Sequence, residues 1–124
     1  MVLLDEIIAW DERTIRCATT SHTSAENPLR KNGHLAAVCG IEYGAQAMAV
    51  HGALVTGGEP RLGVLAGLRG IRIAVSRLDD IAEPLSVSAQ LIKSEQTGVV
   101  YQFTVDVADR ELVAGRATVI WMAR

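Results

Sequence analysis

A chain of 124 residues with 12 basic and 14 acidic side chains is the size of one domain, which we expect to span 1–124. Its formal charge of −2 is spread without blocks of one sign, which argues against a nucleic acid or an anionic membrane as partner. Apolar residues make up 49% but aromatic residues only 4%, so an aliphatic core is expected.

The first third of the chain mixes short apolar and polar segments. Residues 2–9 are apolar but short, and residues 13–20 alternate enough to predict a strand. Residues 21–35 are polar and contain Pro28 and Gly33, a composition typical of a loop.

The cysteines and the N-terminal segment bear on the location of the protein. Cys17 and Cys39 match no disulfide framework and no metal or redox motif, so we expect two buried, reduced thiols. The apolar start meets an acid at Asp5 and lacks the basic residues of a signal peptide, and no apolar run is long enough to cross a bilayer. These features predict a cytoplasmic protein.

Residues 36–54 predict a buried helix, because apolar or small residues occupy nearly every face of it. Gly40, Gly44 and Gly52 each weaken a helix by about 1 kcal/mol relative to alanine. We expect that another backbone or a ligand approaches the helix closely at these glycines. The residues 57–60 then predict a turn that ends the segment.

The second half of the chain reads as antiparallel sheet, because apolar and polar residues alternate with a period of two between short turns. A kink is expected at Gly67 or Gly70. The predicted strands form a meander that wraps the helix: residues 63–77, 85–95, 99–107 and 111–121.

Glu42 and Gln46 are the polar residues that the apolar helix does not explain. At about 100° per residue the two side chains point nearly the same way. A carboxylate buried among apolar groups must be paired, hydrogen-bonded or protonated, which suits a residue that transfers protons near neutral pH. Glu42 is the first catalytic candidate, and Gln46 is expected to hold Glu42 or a backbone group.

The sequence Ile41-Glu42-Tyr43-Gly44-Ala45-Gln46 resembles the helix of the β-hydroxyacyl-(acyl carrier protein) dehydratases. Weaker similarity extends to Leu65-Ala66-Gly67, to the strand with Arg72 and to residues 113–118. The resemblance implies an α+β hotdog fold, in which a curved antiparallel sheet wraps one long central helix. It also implies a dimer, either a homodimer or a dimer-based oligomer, with the active site between two subunits.

In the resembling family an acidic residue at the position of Glu42 works with a histidine of the facing subunit. Together they remove a proton next to the thioester and expel the β-hydroxyl as water. The unpaired amides at the start of the helix, here those of Ala37 and Val38, would polarise the thioester carbonyl. Gln46 would complete the substrate-binding group.

This chain departs from the family where the histidine belongs. The His-Phe-Pro-Gly motif is absent, and its place falls on Asn27-Pro28-Leu29-Arg30; Ala36-Ala37 replaces the Pro-Gly at the helix start. His34 and, with less weight, His22 lie in the preceding loop and are candidate substitute bases, although an ordinary surface histidine is the commoner outcome. Asn27 is a candidate for holding a water or a substrate oxygen.

His51 lies nine residues after Glu42, on the opposite helix face, where an interaction with the helix dipole is expected. The histidines, cysteines and Glu42 show no metal-ligand spacing, and no phosphate-binding loop or nucleophile elbow is present. No cofactor is therefore expected.

Three functions remain open. The first is a dehydratase acting on a 3-hydroxyacyl thioester of acyl carrier protein or coenzyme A, in fatty acid or polyene synthesis. The second is a hotdog thioesterase in which Glu42 activates water. The third is a non-catalytic partner subunit that has lost the histidine.

Overall fold

The computed structural model describes residues 2–57 and 63–122, in which one α-helix packs on a six-stranded antiparallel sheet. The elements in chain order are β1 (Glu6–Trp10), β2 (Thr14–Thr19), α1 (Gly40–Val55), β3 (Gly63–Ile73), β4 (Leu85–Ser94), β5 (Gly98–Val107) and β6 (Arg110–Trp121). Short 3-10 turns at Ser21–Thr23 and Ala37–Cys39 interrupt the long connection between β2 and α1.

The order of strands across the sheet is β1-β2-β4-β5-β6-β3. Strands β4, β5 and β6 form the predicted meander, with each pair antiparallel. The prediction that β3 belongs to this meander is wrong, because β3 crosses over the sheet and pairs with the far side of β6. Strand β3 is consequently an edge strand, as β1 is at the opposite side.

Most predicted strand boundaries agree with the structure within one or two residues. The first exception is β1, because the apolar segment 2–9 was not predicted to be a strand. The second is β3, which ends at Ile73 rather than at residue 77. The predicted kink in β3 is confirmed, since the register shifts between Leu65 and Gly67 and between Arg69 and Arg72, and Gly70 has a φ of +59°.

The helix agrees with the predicted segment 36–54, although its first residues form the 3-10 turn and α-helical geometry begins at Gly40. The predicted turn 57–60 lies mostly outside the described residues; Gly57 has a φ of +78°. The described helix is too short and insufficiently apolar to span a membrane.

One face of α1 packs on the inner surface of the sheet, where Tyr43, Ala47 and His51 have no exposed surface. Gly44 permits this approach: a Cβ atom there would lie 2.5 Å from Cδ2 of the buried Phe103. The largest fully buried side chains around the helix come from strands and loops: Ile15, Leu35, Leu78, Leu85, Phe103 and Leu112.

The other face of α1 is not covered by residues 2–57 and 63–122 of this chain. Glu42, Ala49 and Val55 are exposed, so the prediction of a helix buried on all sides is wrong for the single chain. The neighbouring edge strand β3 also leaves large apolar side chains exposed, including Leu65 and Leu68. The sheet and helix thus form the expected hotdog arrangement, with one apolar side open.

Candidate active site

The start of α1 is held by the segment that follows β3. The N–H of Ala37 donates to the carbonyl of Ser76 at 3.0 Å, and the N–H of Leu78 donates to the carbonyl of Leu35 at 2.8 Å. This segment leaves β3 after Ile73 and runs beside the helix start, which explains why the strand ends earlier than predicted.

A buried carboxylate fixes the same junction. Oδ1 of Asp79 accepts a 2.8 Å hydrogen bond from the N–H of Leu35, and the Arg77 guanidinium binds both Asp79 oxygens. The Asp79 side chain is only 5% exposed, and Arg30 lies 3.9 Å from it. The hydrogen bonds from Arg77 hold the pKa of Asp79 well below its usual range, so the junction keeps its negative charge at neutral pH.

The two backbone N–H groups predicted to bind the thioester carbonyl, those of Ala37 and Val38, differ in their hydrogen bonding. The prediction for Ala37 as an unpaired amide is wrong, because its N–H is bonded to Ser76. In the part of the chain that the structure describes, the N–H of Val38 has no acceptor, and Val38 is 53% exposed. Val38 therefore presents a free donor at the positive end of the helix.

Glu42 lies one turn beyond Val38, on the uncovered face of the helix. Its side chain is exposed in the single chain, so the prediction of a dry, apolar environment is wrong unless another molecule covers this face. No hydrogen bond or ion pair to Glu42 is found within residues 2–57 and 63–122. Burial, and next the nearby charge of Glu42, raise the pKa of the half-buried Cys39 thiol.

Gln46 anchors the N-terminal segment to the helix. Its Oε1 accepts a 2.7 Å hydrogen bond from the N–H of Leu3. The expectation that Gln46 holds a backbone group is thus confirmed, while its role as a substrate-binding residue stays a prediction.

Asn27, in the stretch where the resembling family has its His-Phe-Pro-Gly motif, is buried inside the loop. Its Nδ2 donates to the carbonyl of Ser21 and to the Tyr43 hydroxyl, both at 3.0 Å, and its Oδ1 accepts from the N–H of Leu29 at 2.9 Å. These bonds tie the loop to α1. A role of Asn27 toward substrate stays a prediction, and its evident role here is structural.

The loop histidines lie in different environments. His34 is exposed, with Nδ1 4.0 Å from Asp79 Oδ2, so it remains a candidate base on accessibility alone. His22 is fully buried, contrary to the expectation of a surface residue, and its Nε2 lies 2.9 Å from the carbonyl of Ile81. Burial lowers the pKa of His22, so the ring is neutral and unsuited to reach a substrate.

His51 is opposite Glu42, as predicted, but its expected interaction with the helix dipole is wrong. The ring is completely buried, with Nδ1 2.7 Å from the Tyr101 hydroxyl and Nε2 2.8 Å from the carbonyl of Asp11. Burial raises the pKa of Tyr101 to about 12, which keeps its hydroxyl protonated.

Of the cysteines, Cys17 is buried as predicted, while Cys39 is only half-buried; both are free thiols. Among residues 2–57 and 63–122, no three His, Cys, Asp or Glu side chains converge into a group able to hold a metal ion.

A cavity of about 560 Å³ lies beside α1, on the helix that was expected to lie next to a thioester tail. Its walls combine the C-terminal half of the helix with parts of β3, β4, β5 and β6. Only the three glycines in the helix signalled a close approach there, and they could not distinguish a packed sheet from an open space.

A helix packed on a curved six-stranded antiparallel sheet defines a hotdog protein. The ApeP-like family, described as ApeP dehydratase, matches residues 1–123. The chain therefore belongs to the ApeP-like dehydratase family. No match was found among curated proteins.

Solved structures give the same fold. A chain of the dehydratase heterocomplex ApeI:P from Xenorhabdus doucetiae aligns with 99% of this chain and 84% of that chain, at TM-score 0.84 and 23% identity. A hypothetical thioesterase from Streptococcus pneumoniae, solved with coenzyme A, aligns over 96% and 89%, at TM-score 0.68 and 14% identity. A thioesterase from Haemophilus influenzae aligns over 94% and 77%, at TM-score 0.67 and 14% identity.

Proposed function

We propose that this chain is a subunit of a dehydratase that removes water from a 3-hydroxyacyl group carried as a thioester on acyl carrier protein or coenzyme A. The observation that carries the proposal is the placement of Glu42 one helical turn from the free N–H of Val38, on the uncovered face of α1. Membership of the ApeP-like dehydratase family supports the reaction class.

The two groups have complementary tasks. The N–H of Val38, at the positive end of α1, donates to the thioester oxygen and stabilises the negative charge that develops there when the α-proton leaves. Glu42 transfers a proton: either its carboxylate takes the α-proton, or its carboxyl group donates a proton to the departing β-hydroxyl. The products are the enoyl thioester and water.

Dehydration needs a second proton-transfer group, because one proton leaves carbon and another must reach the hydroxyl. Within the described residues, no histidine of this chain contacts Glu42: His22 and His51 are buried in other hydrogen bonds, and His34 lies against Asp79. The second group is therefore assigned to another subunit.

That subunit is a second hotdog chain, which covers the open side formed by α1 and β3. An edge strand with exposed apolar residues is normally paired or covered in a stable protein. We favour a partner that carries the missing histidine over a homodimer, since no histidine stands in the stretch Asn27-Pro28-Leu29-Arg30, where the resembling family has its motif. The ApeI:P assembly, a heterocomplex, is consistent with this choice.

Covering Glu42 by this partner would also provide the dry environment that the single chain lacks. The free Cys17 and Cys39 thiols support a reducing, cytoplasmic location. Fatty acid or polyene synthesis is the pathway class in which such a reaction belongs.

The test incubates the chain, alone and mixed with a histidine-bearing hotdog subunit, with a 3-hydroxyacyl-CoA and the matching enoyl-CoA. Interconversion of the two thioesters by the mixture, but by neither subunit alone, supports the proposal. Release of free thiol without enoyl formation identifies a thioesterase, and equal activity of the histidine-bearing subunit with and without this chain identifies a non-catalytic partner; either result overturns the proposal.

The proposed interface is tested by light scattering with two matched charge substitutions. Leu68→Lys places a charge on the exposed apolar side of β3, whereas Ile8→Lys places one on β1, at a residue of similar exposure. Only Leu68→Lys is expected to dissociate the dimer. A wild-type protein that remains monomeric at micromolar concentration, with and without the second subunit, would contradict the shared site.

A further inference from the structure

Two arginines face each other on the outer surface of the sheet, close to its open edge. Arg69 of β3 and Arg116 of β6 are Cα partners in the antiparallel ladder, and both side chains are exposed. The alternation along β6 turns Ala117 toward the core, where it is fully buried, and therefore turns Arg116 to the outside. Like charges directly opposite each other destabilise a strand pair, so this arrangement needs an explanation.

No acidic group compensates the pair in the part of the chain that the structure describes, where neither guanidinium forms a hydrogen bond or an ion pair. On the β5 side, Arg116 faces the uncharged Gln102. The neighbouring Arg72 shows the contrast, since its guanidinium binds both carboxylate oxygens of Glu111 at 3.2 Å. The remaining cross-strand position beside Arg69 lies beyond the open edge of β3, which is where a compensating carboxylate can be supplied.

Pairing of β3 with its own copy would add repulsion at this place. A dimer with two-fold symmetry sets the same strand of both subunits side by side and antiparallel. Arg69 is next to Leu68, the midpoint of Gly63–Ile73. A pairing centred on Leu68 brings the two Arg69 Cα atoms within about 8 Å of each other, which does not exceed the Debye length at physiological salt. With Arg116 one strand further in each subunit, four unpaired guanidiniums would gather across a homodimer.

The same strand is otherwise suited to association. Leu65 and Leu68 on its inner side are exposed apolar residues that a partner can cover. Apolar contacts supply affinity with little distinction between partners, whereas an unpaired charge disfavours every partner that lacks the opposite charge. A sheet edge that carries charge is also protected against pairing with itself. The two arginines therefore fit a role in the choice of partner.

We propose that Arg69 and Arg116 select the partner subunit: they repel a second copy of this chain and bind carboxylates on the edge strand of a different hotdog chain. The inference rests on the proposed function, because it takes a second hotdog chain as the molecule that covers β3. It assigns to that chain acidic side chains on the outer face of its edge strand, next to Arg69.

The test uses this chain itself to present the opposite charge. The variant Arg69→Glu/Arg116→Glu reverses both charges and keeps the apolar side of β3. Sedimentation velocity with one fluorescently labelled species measures the association of wild type with wild type and of wild type with the variant. We expect the mixed pair to associate at least about tenfold more tightly than wild type alone at about 0.05 M salt. At about 1 M salt, where the Debye length is about 3 Å, this advantage should shrink below about twofold.

Arg13→Glu/Arg16→Glu is the matched control, because it gives the chain the same net charge through two exposed residues, one in β2 and one directly before it. Strand β2 lies four strands from β3 in the sheet, about 19 Å away. Its mixture with wild type should associate no more tightly than wild type alone, and thermal melts establish that both variants are folded. No gain for the mixed pair, an equal gain with the control, or tight wild-type association that is insensitive to salt would overturn the proposal.

A second arm separates this role from recognition of an acidic carrier. Acyl carrier protein is titrated into the wild type and into Arg69→Glu/Arg116→Glu. Weaker binding of the carrier by the variant, with unchanged association between chains, would assign the arginines to the carrier and overturn the proposal. Because association is measured without substrate, charge-dependent pairing without dehydratase activity would count against the proposed function alone.

Discussion

The same substitution at two helix glycines should change stability in opposite directions. Gly44→Ala places a Cβ atom 2.5 Å from Cδ2 and 2.7 Å from Cγ of Phe103, whose side chain is fully buried. Gly52→Ala places a Cβ atom in open space. Both variants gain the same kind of helix propensity, so the difference between them measures the packing of α1 on the sheet.

The expected change in the free energy of unfolding combines helix propensity with packing in the core. Alanine adds about 0.5–1 kcal/mol of helix stability at either position. At Gly44 the added methyl group overpacks the core, which costs typically about 1–3 kcal/mol and more when the neighbour cannot move. We expect Gly44→Ala to lose about 1–2 kcal/mol and Gly52→Ala to gain about 0.5–1 kcal/mol in the free energy of unfolding.

The assay is urea unfolding followed by far-ultraviolet circular dichroism, at one fixed protein concentration because association adds to stability. Each kcal/mol corresponds to about 3–5 °C in Tm for a chain of this size. An m-value equal to that of the wild type shows that the unfolded reference state is unchanged. Stabilisation of both variants, or of Gly44→Ala alone, would refute the close contact between α1 and β5.

Tyr43→Phe should cost about 1–3 kcal/mol, because it removes one of the two acceptors of the buried Asn27 amide; urea unfolding measures this, and an unchanged midpoint would contradict the role given to Asn27. Asp79→Asn should cost about 1.5–3 kcal/mol through its weakened bonds to Arg77 and Leu35; the difference from wild type should begin to shrink as the pH falls below about 4 and should disappear only below the lowered pKa of native Asp79. His22 predicts acid sensitivity: burial lowers its pKa, so the unfolded chain binds the extra proton and stability is lost as the pH falls below about 6.5. His22→Gln should flatten this dependence in unfolding titrations, and an unaltered slope would argue against a neutral, buried ring.

The elements that depend on local patterns were predictable from the sequence. The alternation in β5 and the apolar run of α1 determine which backbone geometry buries their side chains. The position of β3 at the sheet edge was not predictable in the same way, because strand order depends on pairing between residues far apart in the chain. Residues 63–73 have the same pattern whether they pair with β4 or with β6.

The candidate site shows the same limit. Helical spacing correctly predicted that Glu42 and Gln46 share one face of α1. The sequence could not show whether this chain or a second subunit supplies the apolar groups around that face. The N–H of Ala37 is not free to bind a thioester, because it donates to the carbonyl of Ser76, almost forty residues away in the chain. His22 was expected at the surface because its loop is polar, but the ring is fully buried and its Nε2 lies 2.9 Å from the carbonyl of Ile81, far along the chain.

The role of Glu42 is tested most directly by the rate of dehydration in the assembled protein. Glu42→Gln keeps the size and hydrogen-bonding capacity of the side chain but removes its ability to exchange a proton. Glu12→Gln, at an exposed residue in the turn between β1 and β2, is the matched control. Both variants are mixed with the same partner subunit and compared at equal dimer content.

With a 3-hydroxyacyl thioester as substrate, we expect Glu42→Gln to lower kcat at least about a hundredfold, as removal of a general acid–base group does, while Glu12→Gln keeps the wild-type rate. Wild-type turnover by Glu42→Gln in an intact dimer would show that the proton is carried by some other group.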